Sequence, residues 1–539
     1  MSSLYKGQES KCCDSMGRSP HDSSHRLPTV LVIGAGIGGL TAAALLAHRG
    51  YAVSVFDQAI VPGGCASTFR RKGFTFDVGA TQVAGLEPGG IHHQIFSELD
   101  IDPPEARPCD PGCAVYLPGE HDPIQVWRDP HRWQQERQRQ FPGSEPFWQL
   151  MSDLFRYSWA FQSRDPVLPP RTLWDVGQLL KAVRPGTLLT APYVFSTVGQ
   201  VLRRLGLAGD RRLKTFLDMQ LKLYSQVDAD ETAVLYAATA LGVSQAPQGL
   251  FHLEGSMQVL SDRLVEALER DGGTLHMRHT VERIQPPVDS GGDSEGDRFK
   301  VTIRNQKTKE VWDEMADHVV ANVTVQDLMR LLGDSAPKGY QRRVDKLPDA
   351  SGAFVVYLGV TEDAIPDNCP PHLQFLYDYD GPIGENNSLF VSVSRPGDGR
   401  APDGHATITA SSFTDLRAWG HREDYVRLKQ HYTDGAIARL GQFFKLTEET
   451  IVHVEAATPK TFARYTARDR GAVGGIGQRI STFGPFGFAN RTPIQGLWLV
   501  GDCVHPGEGT AGVSYSAQTV VRQIEQCHAK NRYSRLGER

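Results

Sequence analysis

The stretch that most constrains this chain is "PTVLVIGAGIGGLTAAALLAHRGYAVSVFDQA", from Pro28 to Ala59. Thr29 to Ile33 is a short β-branched run closed by glycine, the pattern of a strand buried on both faces. Gly34, Gly36 and Gly39 then spell G-x-G-x-x-G, with an extra Gly38, and Thr41 to Arg49 reads as an Ala- and Leu-rich helix ending at Gly50. "YAVSVF" follows as a second strand and ends on Asp57. The first glycine permits a tight turn, the second lets backbone approach a pyrophosphate, and the third lets helix and strand pack closely. Free N–H groups and the positive dipole end of the helix attract the phosphates. Asp57, 18 residues after Gly39, is spaced to accept from ribose hydroxyls, and no arginine follows it to favour a 2′-phosphate. The order strand, glycines, helix, strand, acid predicts a Rossmann-type α/β unit that binds a dinucleotide.

Other segments extend the pattern. Gly63 and Gly64 follow at once in "VPGGCASTFRRKGFTFDVGAT", a second glycine pair that a nicotinamide domain does not need. Near the other end, "GLWLVGDCVHPGEGTAGVSYSAQ" reads as a strand ending at Asp502, a glycine-rich turn, and a helix from about Thr510. Between them, Met257, Leu260, Leu264 and Leu268 have helical spacing, Gly272-Gly273 ends that helix, and "TLHMRHTVERI" reads as the next strand. "FKVTIRN" and "ADHVVANV" read as two more, with an exposed loop, "PPVDSGGDSEGDR", before the first of them.

Together these pieces resemble the FAD-binding pattern of the amine oxidase and phytoene desaturase superfamily. "TPKTFARYTARDRGAVGGIGQ" before "VGDCVHPGEGTAGV" is similar to its carotenoid desaturase and isomerase branch, and the whole chain resembles the cyanobacterial C-3′,4′ desaturases. The resemblance implies FAD held by Gly34, Gly36, Gly38, Gly39, Asp57, Gly63 and Gly64, with Val281 giving backbone contact to adenine. It also implies Asp502 at the ribityl and phosphate region, and N–H groups at Gly512 and Val513 facing the flavin. Asp57 stands where many relatives have glutamate, and Cys65 where desaturases often have arginine.

Composition is that of a globular chain: 539 residues, 40% hydrophobic, net charge −5. With no basic excess, nucleic acid is not an expected partner. Cys109 and Cys113 have no matching pair nearby, so no metal is expected. Residues 1–27 read as a disordered leader without a signal-peptide centre. The expected architecture is a discontinuous Rossmann-type FAD-binding domain (28–105, 241–330 and 451–530) with an interleaved α+β substrate and membrane-docking domain (106–240 and 331–450), and a tail at 531–539. "PGTLLTAPYVFSTVGQVL", Pro185 to Leu202, is uncharged but flanked by Lys181, Arg184, Arg203 and Arg204. It reads as a buried or interface-seeking helical segment rather than a spanning one.

The resemblance implies an FAD-dependent desaturase that removes a hydride and a proton from adjacent carbons near the acyclic end of a carotenoid, toward myxoxanthophyll-type glycosides. His505 and Glu508 are the candidate proton acceptors, with Arg464 and Tyr465 also expected to face the flavin. No second dinucleotide motif follows a strand, so oxygen or a membrane quinone is the expected electron acceptor. A polyene substrate leads us to expect a peripheral enzyme on the cytoplasmic side of a membrane (thylakoid or plasma membrane, if cyanobacterial), docking through part of 146–204. Three other readings stay open: a flavin-dependent cis–trans isomerase, an amine oxidase, and a prenyl-binding escort protein without FAD.

Overall fold

A computed structural model describes residues 28–287, 298–420 and 424–537. The leader and most of the loop at 286–298 lie outside the described residues. Five parallel strands form the central sheet: β1 (Thr29–Ile33), β2 (Ala52–Asp57), β3 (Thr274–Met277), β4 (His318–Ala321) and β5 (Leu497–Leu499), in the spatial order β3-β2-β1-β4-β5. Their alternation sorts side chains to two cores. Val30, Val32, Val53, Val55 and Val320 face a helical layer, and Leu31, Ile33, Val319, Leu497 and Leu499 share a core with helix Val325–Leu332 and a three-stranded sheet. Burial on both faces explains the nearly continuous apolar runs.

Helix α1 (Ile37–His48) has every residue but the last buried. Its alanines let α2 (Gln258–Arg270) and α4 (Thr510–Gly537) pack against it in one core. α2 buries Leu260, Leu264 and Leu268, as their spacing predicts. "TLHMRHTVERI" is not one strand: Arg278 adopts φ 64°, and the chain passes from β3 into His279–Gln285, which joins a separate three-stranded sheet with Phe299–Asn305 and Val311–Ala316.

The second domain is built on a seven-stranded mixed sheet, in the order Ile451–Ala457, Ser351–Thr361, His405–Asp415, Ser388–Val393, His372–Leu376, Cys113–Tyr116, Ile124–Val126. Helices Glu145–Gln162, Arg211–Ser225 and Val234–Gly242 enclose a core around Trp133, Trp148 and Phe216. Three boundaries differ from expectation. Residues 451–457 pair along strand 351–361 and belong to the substrate sheet. Leu331, Leu332 and Val344 pack into the cofactor core, so the second substrate segment begins at Ser351. Residues 531–537 continue α4 instead of forming a tail.

Pro185 to Leu202 divides in two. Leu188, Leu189 and Phe195 (68% accessible) lie outside, whereas Val198, Val201 and Leu202 are buried. A buried charge cluster binds the domains together: Arg400 Nε and Nη2 each donate to Asp77 Oδ2 at 3.1 Å, and Nη1 donates to Asp398 Oδ2 at 3.2 Å.

Candidate FAD site and the cavity beside it

The first glycine turn is as tight as its spacing demands. A Cβ on Gly39 would collide with the Gly34 carbonyl oxygen, and one on Gly36 would lie 2.7 Å from the Asn322 side chain. Gly63 N–H donates to Ala35 O at 2.8 Å, and Gly36 bridges Gly63, so both glycine turns form one surface. Asp57 ends β2 with Oδ2 accepting from Ala35 N–H and Oδ1 from Ala59 N–H, each at 2.7 Å. Burial raises its pKa despite these two bonds. Each carboxylate oxygen retains a lone pair for a hydroxyl donor.

Glycine also joins the two ends of the chain. A Cβ on Gly38 would sit 3.3 Å from Val513 O, and Thr41 Oγ1 lies 3.2 Å from Ser514 Oγ. α1 and α4 therefore start side by side, from turns more than 400 residues apart. Val513 N–H closes the first α4 hydrogen bond onto Gly509 O at 3.0 Å, which corrects the expectation that it faces a ligand. In the first turn of α4, the N–H groups of Thr510, Ala511 and Gly512 have no intrahelical partner. Val281 lies in the strand His279–Gln285 just beyond β3, buried in the same core cluster as Phe56.

Asp502 follows β5, and Arg468 Nη1 donates to its Oδ2 at 2.8 Å. Arg468 Nη2 donates to Gly474 O, and Nε is buried without a partner. Burial opposes the charge on Arg468, but Asp502 foremost, with Cys65 and Cys503, outweighs it and raises the guanidinium pKa. The loop "GAVGGIGQ" closes over this pair because a side chain on Gly475 would strike the Asp502 carbonyl.

Glu508 lies in the same turn. Its Oε2 accepts from Gln226 Nε2 at 2.9 Å, and its Oε1 is buried with no partner. Burial and the Asp502 charge push its pKa up to about 8. His505 is also buried, and desolvation pushes it down to about 4, so the imidazole is neutral at physiological pH. Its Nε2 lies 3.0 Å from Gln162 Oε1, and its Nδ1 has no partner.

Arg464 does not reach this site. It is exposed on α3 (Pro459–Thr466), with its guanidinium over the Tyr465 ring, itself half-exposed. α3 ends at Ala467 in a left-handed conformation, φ 57°, and that turn brings Arg468 inward instead. Sequence reading also missed Asn322 and Gln226. Asn322 follows β4 and, with Oδ1 oriented by its surroundings, accepts from Gly36 N–H and Gly39 N–H at 3.3 and 3.2 Å. The clustered glycines at 471–477 were the one available signal for Gln226, since Gly474 leaves room for its side chain.

On the substrate-domain side, a cavity of about 600 Å³ is lined by Trp133, Trp148, Phe155, Trp159 and Tyr224, among others. Tyr236 donates its hydroxyl to the Tyr224 carbonyl, packs edge-on against Phe483 at 5.5 Å, and Phe483 lies 6.0 Å from His505. A second hollow of about 560 Å³, between Phe195, Phe486 and Arg479, opens at the surface. Contacts through Tyr236 and Phe483 thus run from the Tyr224 side of the first cavity to the turn that carries His505 and Glu508.

A surface without side chains along two glycine turns, a carboxylate at the end of β2, a second carboxylate after β5 and free N–H groups at the start of α4 fit FAD. Asp57 would hold the ribose of the adenosine half, the glycine turns the diphosphate, and Asp502 the ribityl side. Residues 32–99 match a family described as NAD(P)-binding Rossmann-like domain. Across 92% of its length the chain is 28% identical to a chloroplastic prolycopene isomerase of Daucus carota, 79% of which is covered. It is 26% identical to a zeta-carotene-forming phytoene desaturase of Myxococcus xanthus, covering 92% of this chain and 93% of the relative. Among solved structures, cyclohexylamine oxidase from Brevibacterium oxydans superposes with a TM-score of 0.58 at 15% identity, over 92% of this chain and 99% of the oxidase. Along nearly all of its length the chain is therefore similar to carotenoid isomerases and desaturases, and its fold is that of cyclohexylamine oxidase.

Proposed function

We propose that this protein is a carotenoid-modifying flavoenzyme, and that it desaturates an acyclic carotenoid end at the C-3′,4′ bond. One observation carries the reading: from the turn holding Glu508 and His505, a run of contacts through Phe483 and Tyr236 leads to Tyr224 on the wall of an aromatic-lined cavity. FAD, when bound, supplies a two-electron redox centre. Desaturation breaks two neighbouring C–H bonds: one pair would leave with the hydride to the oxidised cofactor, and the pair of the bond that loses its proton becomes the new double bond.

The chain's own groups orient the polyene, exclude water and take the proton. Glu508 has the pKa for the last task, since a carboxylate near 8 is a stronger base than an ordinary one and titrates near the working pH. Its unpartnered Oε1 is the acceptor atom. His505, held neutral and bonded to Gln162, packs between Phe483 and Tyr515. Oxygen or a membrane quinone then takes up the electron pair.

Leu173, Leu180, Leu188, Leu189 and Phe195 are exposed in the same stretch of chain as Lys181 and Arg184, a combination suited to an anionic membrane surface. Among the described residues no helix is long and apolar enough to cross a membrane. We read the protein as peripheral, taking its substrate from the bilayer through the hollow at Phe195 and Phe486.

Cis–trans isomerisation is a second reading, supported by the likeness to prolycopene isomerases. Pigment chromatography of a deletion strain separates the two: a more saturated carotenoid accumulates if the enzyme desaturates, a cis isomer if it isomerises. Anaerobic mixing with substrate adds a second criterion. Desaturation bleaches one equivalent of flavin per double bond formed, and isomerisation leaves none bleached at completion.

A further inference from the structure

We infer that Arg468 is the guanidinium that grips the anionic part of FAD beside Asp502. This assignment rests on the FAD reading above and extends it to a residue that the dinucleotide motifs do not contain.

The cleft has a charge problem. A diphosphate is doubly anionic, and Asp57 and Asp502 bring two carboxylates to the same groove. N–H dipoles from the glycine turns and α4 offset part of that repulsion, but a full positive charge does so more strongly. Position 65, directly after the glycine pair, is a thiol whose pKa burial raises, so it offers neither a cation nor a strong donor. Arg468 faces Cys65 and Asp502 together, and both act on its ionisation.

Its hydrogen bonding is incomplete. Of five guanidinium N–H groups, Nη1 engages Asp502, Nη2 engages the Gly474 carbonyl, and the Nε donor is buried and unpaired. An unpaired donor on a buried cation is costly, and an anionic oxygen satisfies it best. The loop is also held in place before any ligand arrives. Asp469 N–H donates to Asp327 Oδ2 at 3.1 Å, Val473 N–H to Ser351 O at 2.9 Å, and Arg470 pairs with Asp349 at 3.1 Å. A fixed guanidinium loses little entropy on binding.

The competing account is that the Arg468–Asp502 pair only ties the loop to the sheet. Two variants of the full chain, Arg468→Gln and Arg468→Lys, distinguish the accounts. Each is stripped of flavin and titrated with FAD by fluorescence quenching, beside thermal melting of the stripped proteins. Gripping the cofactor predicts at least a tenfold rise in the FAD Kd for R468Q, a clear recovery in R468K, and no correlation of Kd with the stripped-protein Tm. An R468Q Kd within twofold of the parent overturns the assignment, as does a Kd that follows the loss of Tm in both variants. If the parent itself takes up no FAD, the cofactor reading falls instead, so the two failures are told apart.

Discussion

Gln226 Nε2 donates to Glu508 Oε2 at 2.9 Å, joining residues 282 positions apart. Gln226 ends a substrate-domain helix with φ 66°, and Glu508 lies in the turn after Asp502. The bond therefore fixes a titratable carboxyl in the turn after Asp502 and ties it to the substrate domain. Its other oxygen, Oε1, is buried without a partner.

Glu508 gives the protein a defined pH response. Burial raises its pKa from 4.5 to about 8, so the unfolded chain loses this proton at lower pH than the folded one. The stability contributed by the neutral carboxyl is complete below about pH 4.5 and is lost as pH rises through about 8. Urea denaturation of the parent and of Glu508→Gln, compared from pH 5 to 9, is expected to show that the parent's excess decline is absent in the variant. Turnover, by contrast, is expected to rise through the same interval in the parent and to fall by about 10²–10⁴-fold in E508Q.

Gly39→Ala forces a Cβ into the Gly34 carbonyl, where backbone meets backbone and neither yields cheaply. Destabilisation of about 1–3 kcal/mol is expected, with weakened FAD uptake. Gly339→Ala is the control, since a Cβ there meets nothing and its helix has ordinary φ. That variant is expected to gain about 0.4–1 kcal/mol. Denaturation midpoints and flavin content of the two variants check the contrast.

Arg400 is buried between Asp77 and Asp398, and removing it leaves two carboxylates without a cation. Arg400→Met is expected to cost about 3–5 kcal/mol. Because the cluster joins the strand end at Asp77 to the 398–400 loop of the second domain, calorimetry is expected to show a lowered Tm with a normal flavin spectrum in whatever fraction remains folded.

The exposed patch predicts binding to vesicles. Each large apolar side chain taken fully out of water is worth about 1.5–3 kcal/mol, so Leu188→Glu with Phe195→Glu is expected to reduce co-sedimentation with anionic vesicles more than tenfold. FAD content is expected to stay unchanged, because both residues are exposed and distant in sequence from the glycine turns. Equal sedimentation of parent and variant at low salt would remove the docking proposal.

Much of the cofactor half was legible in order: strand, glycine turn, helix, acid, and later strand, acid, turn, helix. Those signals are local. Steric demands at Gly36 and Gly39 and alternation along β1 and β2 act within a few residues, so a linear reading captures them. The sheet boundary at 451–457 escaped because pairing with 351–361 is a choice of partner, which apolar alternation does not reveal.

The amino-acid order by itself determined the dinucleotide unit, the positions of Asp57 and Asp502, and the helical face of α2, because each follows from backbone sterics and side-chain period. Tertiary structure alone decided that Arg468 rather than Arg464 turns inward. It also decided that Asn322 fills the space between glycine turns, and that Gln226 reaches Glu508. These outcomes depend on side-chain direction after a left-handed residue and on contacts between segments hundreds of residues apart. Propensity and spacing carry no information about either.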